Sequence, residues 1–236
     1  MPKDRFFVDA PFSSNETVEL TEQEAHHLTH VMRISSGEIV ELVNGRHQLA
    51  QAKVLEITKH SVSLLILHFE ERPPPPFSIT VCQAIPRFNR LDTILEKGTE
   101  LGMTELILFP GELSEKKQFS PNQWARLKNV AQAAMKQCGR LDLPNIKLSP
   151  PLHKWTQSDI VYPAYFGDIR TQAPKWDLVW QPAKAISFFI GPEAGFSEKE
   201  HAHLSSLGVI GVKLHDNILR TDTAPIVALS LACHLL

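Results

Sequence analysis

Alternating apolar and polar positions fill much of the first third of the chain, a pattern typical of half-buried β-strands. The clearest runs are EIVELVN, AQAKVLEIT and SVSLLILHF, which are separated by the turn sequences NGRHQ and KHS. A segment with helical spacing, TEQEAHHLTHVMR, lies ahead of them. The pattern predicts a small β-barrel domain over residues 1–72, with one helical insertion.

Four consecutive prolines, Pro73–Pro76, end this alternating pattern. Proline cannot continue a helix or a central strand, and a run of prolines forms a stiff extended connector. We therefore predict a linker at residues 73–76 between a first domain, 1–72, and a second domain, 77–236. If the two domains fold independently, proteolysis at the linker should release a stable fragment that begins near residue 77.

Strand-like and helical patterns alternate after the prolines. The predicted strands are ITVCQAI, TELILF, NIKL, VYPAYF, ISFFI and VIGVKL. The predicted helices are RLDTILEKGTELG, SPNQWARLKNVAQAAMKQCG, SEKEHAHLSS and a final helix from about Thr223. Ser120 and Ser197 occupy N-cap positions, and Gly139 follows the end of the longest helix. The alternation predicts an α/β domain with a mostly parallel sheet.

Composition narrows the class of protein. The chain has 236 residues, 43% of them apolar and 21% charged, which is ordinary for a soluble globular protein. Apolar runs fall short of the roughly 18 residues that a membrane span needs. Three cysteines without C-x-x-C spacing argue against disulfides and zinc, so we expect no metal and a cytoplasmic location. A net charge of −2 does not by itself indicate a nucleic-acid-binding protein.

Two loops follow predicted strands of the second domain, where open parallel sheets bind ligands. They are GPEAGF, residues 191–196, and HDNILRTDTAP, residues 215–225. The phosphate-binding signatures G-x-x-x-x-G-K-[ST] and G-x-G-x-x-G are absent from the sequence. Bare backbone and apolar neighbours suit an adenosine moiety better than a polyphosphate. The alternative is that the glycines and Pro192 only form a sharp turn.

Several motifs in this order resemble the bacterial 16S ribosomal RNA uracil-N3 methyltransferases, which belong to the SPOUT class. The motifs are HHLTHVMR, RFNRLDTILEKGTELGMTELILF, AAMKQCGR, IGPEAGFS and LHDNILRTDTAPIVAL, which together extend over nearly the whole chain. The resemblance implies a C-terminal domain knotted as a trefoil and a PUA-like N-terminal barrel that binds RNA. It also implies a homodimer that uses S-adenosyl-L-methionine to methylate N3 of a uridine in 16S rRNA or the small ribosomal subunit.

The same resemblance suggests site residues. The cofactor residues would be Phe166, Ile190, Gly191, Pro192, Glu193, Ala194, Gly195, Leu214, Ile218, Leu219, Arg220 and Thr223. The residues that contact RNA would be Arg33, Arg87, Arg90, Gln137 and Arg140. Two departures from the family pattern stand in the loops: Ala194 replaces a glycine, and Asp222 replaces a glutamate. The alanine is compatible with a close ligand only if its φ is negative.

Methylation at uracil N3 requires that this nitrogen lose its proton. We expect Arg220 to stabilise the resulting anion, and either a carboxylate, with Glu100 and Glu193 as the candidates, or solvent to take the proton. Arg220 could instead bond the ends of neighbouring strands, Glu100 could be a surface helix residue, and Glu193 could simply fix its loop. Two other functions remain open: a SPOUT ribose 2′-O-methyltransferase, and a noncatalytic RNA-binding or ribosome-assembly protein of the same fold.

Overall fold

The computed structural model describes residues 5–235, so the predicted domain limits at residues 1 and 236 lie outside the described residues. The chain divides into two compact units. Met1–Pro74 and Gln132–Leu143 form the first unit, and Pro75–Ala131 and Pro144–Leu236 form the second. Between residues 5 and 235, no helix combines the length and apolar character that crossing a bilayer requires.

The first unit contains a curled five-stranded sheet. Its strands are β1 (Arg5–Phe7), β2 (Thr17–Thr21), β3 (Ile39–Val43), β4 (Gln48–Ile57) and β5 (Ser61–Glu71), in the spatial order β1-β3-β4-β5-β2. Only the pairing of β1 with β3 is parallel. A short helix, α1 (Glu22–His26), continues as a π-helical turn, His27–Val31. The three predicted strands and the helical insertion are confirmed, and the structure adds two strands that were not predicted, β1 and β2.

The end of a long helix, α3 (Pro121–Cys138), belongs to this first unit. Met135 and Leu141 are buried in a cluster with Val43, because the apolar face of the helix end meets the outer side of the sheet. Lys136 forms an ion pair with Glu24, whose carboxylate also accepts a hydrogen bond from a backbone N–H of β1. Residues 132–143 therefore complete the core of the first unit, although a division at the proline linker places them in the second domain. The domain bounds stay a prediction.

The second unit is an α/β domain with a six-stranded sheet. In chain order its elements are β6 (Ser78–Ala84), α2 (Phe88–Glu100), β7 (Glu105–Phe109), the first part of α3, β8 (Asn145–Leu148), β9 (Ala164–Gly167), α4 (Trp176–Val179), β10 (Ala185–Ile190), α5 (Glu198–Ser206), β11 (Ile210–Val212) and α6 (Thr223–Leu235). Two 3-10 turns, Leu152–Lys154 and Gln157–Asp159, precede β9. All the pairings are parallel in the order β11-β9-β10-β6-β7-β8.

Side-chain caps set the starts of two helices, as the sequence predicts. Ser120 Oγ accepts the backbone N–H of Gln123, whose side chain accepts the N–H of Ser120 in return. Ser197 and Glu200 form the same reciprocal arrangement at the start of α5. Each pair satisfies two N–H groups that have no partner within the helix.

The final helix is reached by a long return path. After β11, at one edge of the sheet, residues 213–222 run back to the carboxyl ends of β10 and β6, in the middle of it. Helix α6 then packs against α2, β6 and β10. This return past two intervening strands is the path that the knotted topology requires.

We predict that cleavage within Pro73–Pro76 leaves the two fragments associated. The C-terminal fragment retains Met135 and Leu141, which are buried against Val43 of the N-terminal fragment. Removing such side chains from their cluster would expose apolar surface to water, which costs about 25 cal/mol of free energy for each Å². Native size-exclusion chromatography of the nicked protein should give one peak that contains both fragments. Separate peaks would show that the contacts of residues 132–143 contribute little to the association of the two fragments.

Candidate functional site

A cavity of about 570 Å³ opens at the carboxyl ends of β9, β10 and β11. Its walls come mainly from three loops, residues 167–169, 190–196 and 212–222, with further contributions from Arg90, His201 and Ala224. Parallel strands that end at one edge bring these loops together, although they are far apart in the sequence. The two loops singled out from the sequence therefore form one site.

The loop after β10 keeps its backbone bare because its own turns are tight. A Cβ added at Gly191 would lie 3.0 Å from the backbone of Gly195 and Phe196, closer than ordinary van der Waals contact, so the loop would have to shift to accept it. Gly195 has φ +77° and open space on its Cα, which lines the cavity. Ala194 has a negative φ and is exposed, so its methyl group is accommodated without strain.

Glu193 fixes this loop to the start of helix α2. Its Oε1 accepts the backbone N–H of Arg87 at 3.0 Å, at the N-terminus of the helix, where negative charge is favourable. The Arg87 side chain points to another acid, Glu115, at 2.6 Å. The pKa of Glu115 is lowered and that of Arg87 raised, chiefly by this hydrogen bond.

A buried junction joins the two loops to the centre of the sheet. Thr221 Oγ1 donates to the carbonyl of Gly191 at 2.7 Å and accepts Gln83 Nε2 at 3.1 Å. Gln83, at the end of β6, also donates to the Gly191 carbonyl at 3.2 Å. Sequence reasoning missed both side chains, although a glutamine in the otherwise apolar strand ITVCQAI is a usable signal.

The facing wall contains the three apolar residues that the sequence predicts, among polar and charged ones. Leu214, Ile218 and Leu219 all line the cavity. Ile218 is 77% exposed, and Ile169, which lines the cavity from the end of β9, is 67% exposed. Large apolar side chains this open to water are available to be covered by a flat ligand or by another macromolecule.

Arg220 lines the cavity with its side chain free. Between residues 5 and 235 its guanidinium has no hydrogen bond or ion pair, and its carbonyl accepts the N–H groups of Thr223 and Ala224. The alternative in which Arg220 bonds neighbouring strand ends therefore does not hold in this structure. An unpaired guanidinium is available to a negatively charged ligand.

Arg90 and Asp222 form an ion pair in the cavity wall. Arg90 Nη1 donates to Asp222 Oδ2 at 2.7 Å, and the two side chains are 33% and 13% exposed. Sequence reasoning assigned Arg90 to RNA contact and treated Asp222 only as a departure from the family pattern. The structure brings both into the same cavity as Arg220.

A second polar pair lies deeper in the wall. Asp168 is buried and bound by Arg170 through both carboxylate oxygens. Burial acts to raise the pKa of Asp168, but the hydrogen bonds from Arg170 outweigh it, so the pKa lies below its ordinary value. His201 stands edge-on to the rings of Phe166 and Phe196.

Three predicted site residues lie outside the cavity. Phe166 is fully buried behind the cavity wall. Thr223 does not line the cavity, although its neighbour Ala224 does. Glu100 lies ten residues from Arg90 along α2, about 15 Å at the helical rise, and pairs with Lys97 at 2.8 Å. These three residues therefore do not line the cavity of a single chain, in which the opposite ends of α2 cannot both reach the site.

The RNA candidates of the first unit differ in availability. Arg33 is exposed and has φ +57°, and Gln137 is exposed near the end of α3. The guanidinium of Arg140 is bound to the carboxylate of Asp142 and is largely buried. Arg140 therefore has a structural role that the sequence left as an alternative to RNA contact.

Family models match both parts of the chain. An RNA methyltransferase domain matches residues 73–233, and an RNA methyltransferase PUA domain matches residues 20–67. The chain belongs to the RNA methyltransferase family. The PUA match agrees with the barrel expected at the N-terminus, and the resemblance noted from the motifs is confirmed.

Curated relatives and solved structures extend over the full chain. Ribosomal RNA small subunit methyltransferase E of Buchnera aphidicola is 25% identical, over 96% of this chain and 91% of its own. The Bacillus subtilis protein of that name is 26% identical, over 96% and 94%.

Solved structures of two other proteins are similar in fold. The methyltransferase E of Neisseria gonorrhoeae, bound to S-adenosyl methionine, has TM-score 0.84 and 29% identity, over 100% of this chain and 98% of its own. A Legionella pneumophila methyltransferase, also in complex with this cofactor, has TM-score 0.89 and 25% identity, over 96% and 95%. The predicted fold class, a knotted α/β methyltransferase with a small β domain, is confirmed. In the described part of the chain, no group of three or more His, Cys, Asp or Glu is arranged to hold a metal.

We predict that Thr221→Val lowers the free energy of unfolding by about 1–3 kcal/mol. Valine has the same shape as threonine but leaves the Gly191 carbonyl and Gln83 Nε2 without their shared hydroxyl. Urea denaturation measures the change, with Thr93→Val as the control because Thr93 is exposed on α2. Equal effects of the two substitutions would show that the hydrogen bonds of this junction contribute no stability.

Proposed function

We propose that the protein transfers the methyl group of S-adenosylmethionine to N3 of a uridine in 16S ribosomal RNA. One observation supports this most directly: the cavity joins a bare backbone loop, the apolar side chains opposite it, and Arg220, whose guanidinium has no partner in the described part of the chain. The relatives named as small-subunit ribosomal RNA methyltransferases support the choice of RNA.

The cavity has the features that S-adenosylmethionine requires. Its volume falls within the range of roughly 300–1,000 Å³ usual for small-ligand sites. Backbone groups of residues 190–195 would meet the polar edges of the cofactor, and Leu214, Ile218 and Leu219 would enclose its adenine. The bound cofactor supplies an activated methyl group, so the chain mainly has to hold donor and acceptor in line.

Arg220 has the central role in the chemistry that we propose. Uracil N3 becomes a good nucleophile when it loses its proton, and the negative charge then spreads over the two neighbouring carbonyl oxygens. A guanidinium beside these oxygens stabilises that charge, and it does so best in a site shielded from water. Glu193 is held by the N–H of Arg87 and has a positioning role in this proposal.

Target binding requires contacts outside the cavity. Arg33 and Gln137 are exposed in the first unit and are available to phosphates, whereas Arg87 and Arg140 would have to exchange Glu115 and Asp142 for RNA. We propose a cytoplasmic homodimer whose PUA domain helps to bind the rRNA or the small subunit. The exposed Ile169 is apolar surface for the target base or a second chain to cover.

Mapping of ribosomal RNA tests the function. In 16S rRNA from cells that lack the protein, one 3-methyluridine should disappear, and the gene restored in trans should bring it back. Loss of a 2′-O-methyl group instead would support the ribose methyltransferase, and an unchanged methylation map would support a noncatalytic RNA-binding protein.

We predict that Arg220→Ala lowers the rate of methyl transfer by at least about a hundredfold, the scale of a lost anion-stabilising donor. Arg220→Lys should recover only part of the rate, because lysine keeps the charge but not the planar fork. Single-turnover transfer measures the effect, alongside cofactor affinity and thermal unfolding. An Arg220→Ala protein that is folded and as fast as the parent would contradict the role.

We predict that Gly195→Val weakens S-adenosylmethionine binding strongly, since a β-branched residue resists φ +77° and adds bulk in the cavity. Gly208→Val is a matched control: Gly208 has φ +83° and equally open surroundings, but it lies outside the cavity. Calorimetric titration should show a loss only for Gly195→Val. Equal affinities in the two folded variants would show that this loop is a turn without contact to the cofactor.

A further inference from the structure

One oxygen of the Asp222 carboxylate is buried without a partner. Oδ2 accepts Arg90 Nη1 at 2.7 Å, but Oδ1 has no hydrogen bond to any of residues 5–235. Asp222 belongs to the cavity wall. A buried acceptor without a donor is costly, because the water it lost has not been replaced. Since Oδ1 is closed to solvent, a ligand that supplies one N–H reaches it only by displacing the side chains that cover it, and would then remove this cost.

The substrate proposed above carries one such group. Uracil presents a single N–H between its two carbonyl groups, at N3, the atom that must lose a proton before it is methylated. Cytosine presents a lone pair at the same position, which a carboxylate oxygen repels. Resting on the proposed function, we infer that Asp222 Oδ1 accepts the N3–H of the target base, selects uracil over cytosine, and takes the proton during methyl transfer.

The other acids are less suited to this role. Glu193 is exposed and already accepts the N–H of Arg87, and Glu100 lies outside the cavity. The ion pair with Arg90 holds the Asp222 carboxylate in one orientation, with Oδ1 left over. Arg220, two residues earlier in the same loop, also lines the cavity. An acceptor for N3–H and a cation for the carbonyl oxygens together match the edge of uracil.

The bonds balance with no further reactant. The N3–H bond breaks and its proton passes to Asp222 Oδ1. N3 uses the freed electron pair to bond the methyl carbon, while that carbon's bond to sulfur breaks and leaves its electrons on sulfur. The positive charge of the sulfonium is thereby cancelled, and Asp222 later releases the proton to solvent.

Asp222→Asn provides a test that does not depend on turnover. The amide oxygen can keep the bond to Arg90 while an NH₂ group replaces Oδ1, so a donor stands where an acceptor stood. The full-length protein is titrated, with S-adenosylhomocysteine present, with an RNA fragment that contains the mapped uridine and with the same fragment carrying cytidine there. The parent should prefer uridine by at least about tenfold, and Asp222→Asn should abolish or invert the preference.

Two further variants separate recognition from folding. Asp222→Glu keeps a carboxylate and should retain the preference for uridine. Asp92→Asn makes the same chemical change in another arginine–aspartate pair, that with Arg126, and should also leave the preference intact. Single-turnover methylation by Asp222→Asn should fall by at least about a hundredfold, as for a lost general base.

The outcomes distinguish the inference from the function on which it rests. If Asp222→Asn still prefers uridine, or loses affinity for both RNAs by the same factor, Asp222 only holds Arg90 and the inference is overturned. If the parent methylates no uridine base in this RNA or in the small subunit, the proposed function itself fails. A parent that methylates N3 but binds the two RNAs equally also overturns the selection by Asp222.

Discussion

The hydrogen bonds among Gln83, Thr221 and Gly191 are the constraint on which the rest of the site depends. They join the end of β6, the end of β10 and the segment that returns from β11. In the sequence, Thr221 lies 138 residues after Gln83 and 30 residues after Gly191. Each bond contributes only about 0.5–1.5 kcal/mol net, but leaving any of these buried groups unpaired would cost more. The returning segment is therefore held in one position.

This junction determines which side chains meet in the cavity. Because Thr221 is fixed, its neighbours Arg220 and Asp222 are placed on the cavity wall. Arg220 has no side-chain partner among residues 5–235, and Asp222 is bound to Arg90. The loop after β10 is fixed twice, through the Gly191 carbonyl and through Glu193 at the start of α2. A preorganised site of this kind spends little free energy on ordering itself when a ligand binds.

Much of this could be predicted from the sequence, for identifiable reasons. The central strands of the second unit carry apolar runs, and α3 and α5 carry side-chain caps, so periodicity and capping locate these elements. The loops that follow β10 and β11 were recognised because glycine, proline and acid residues interrupt those runs. Ala194 was flagged as a departure, and its negative φ explains why the chain tolerates it.

The remainder depends on contacts that local patterns do not encode. Residues 132–143 look like the end of a helix in the second domain, yet their apolar side chains are buried against β3 and its neighbours in the first unit. Glu100 lies in a motif of the family but at the far end of α2 from Arg90. The free oxygen of Asp222 becomes visible only when Arg90, distant in sequence, is seen to occupy the other one. If this cavity holds the methyl donor, calorimetric titration of the purified protein with S-adenosylmethionine should show saturable binding at one site per chain. An absence of binding at millimolar cofactor would contradict that placement.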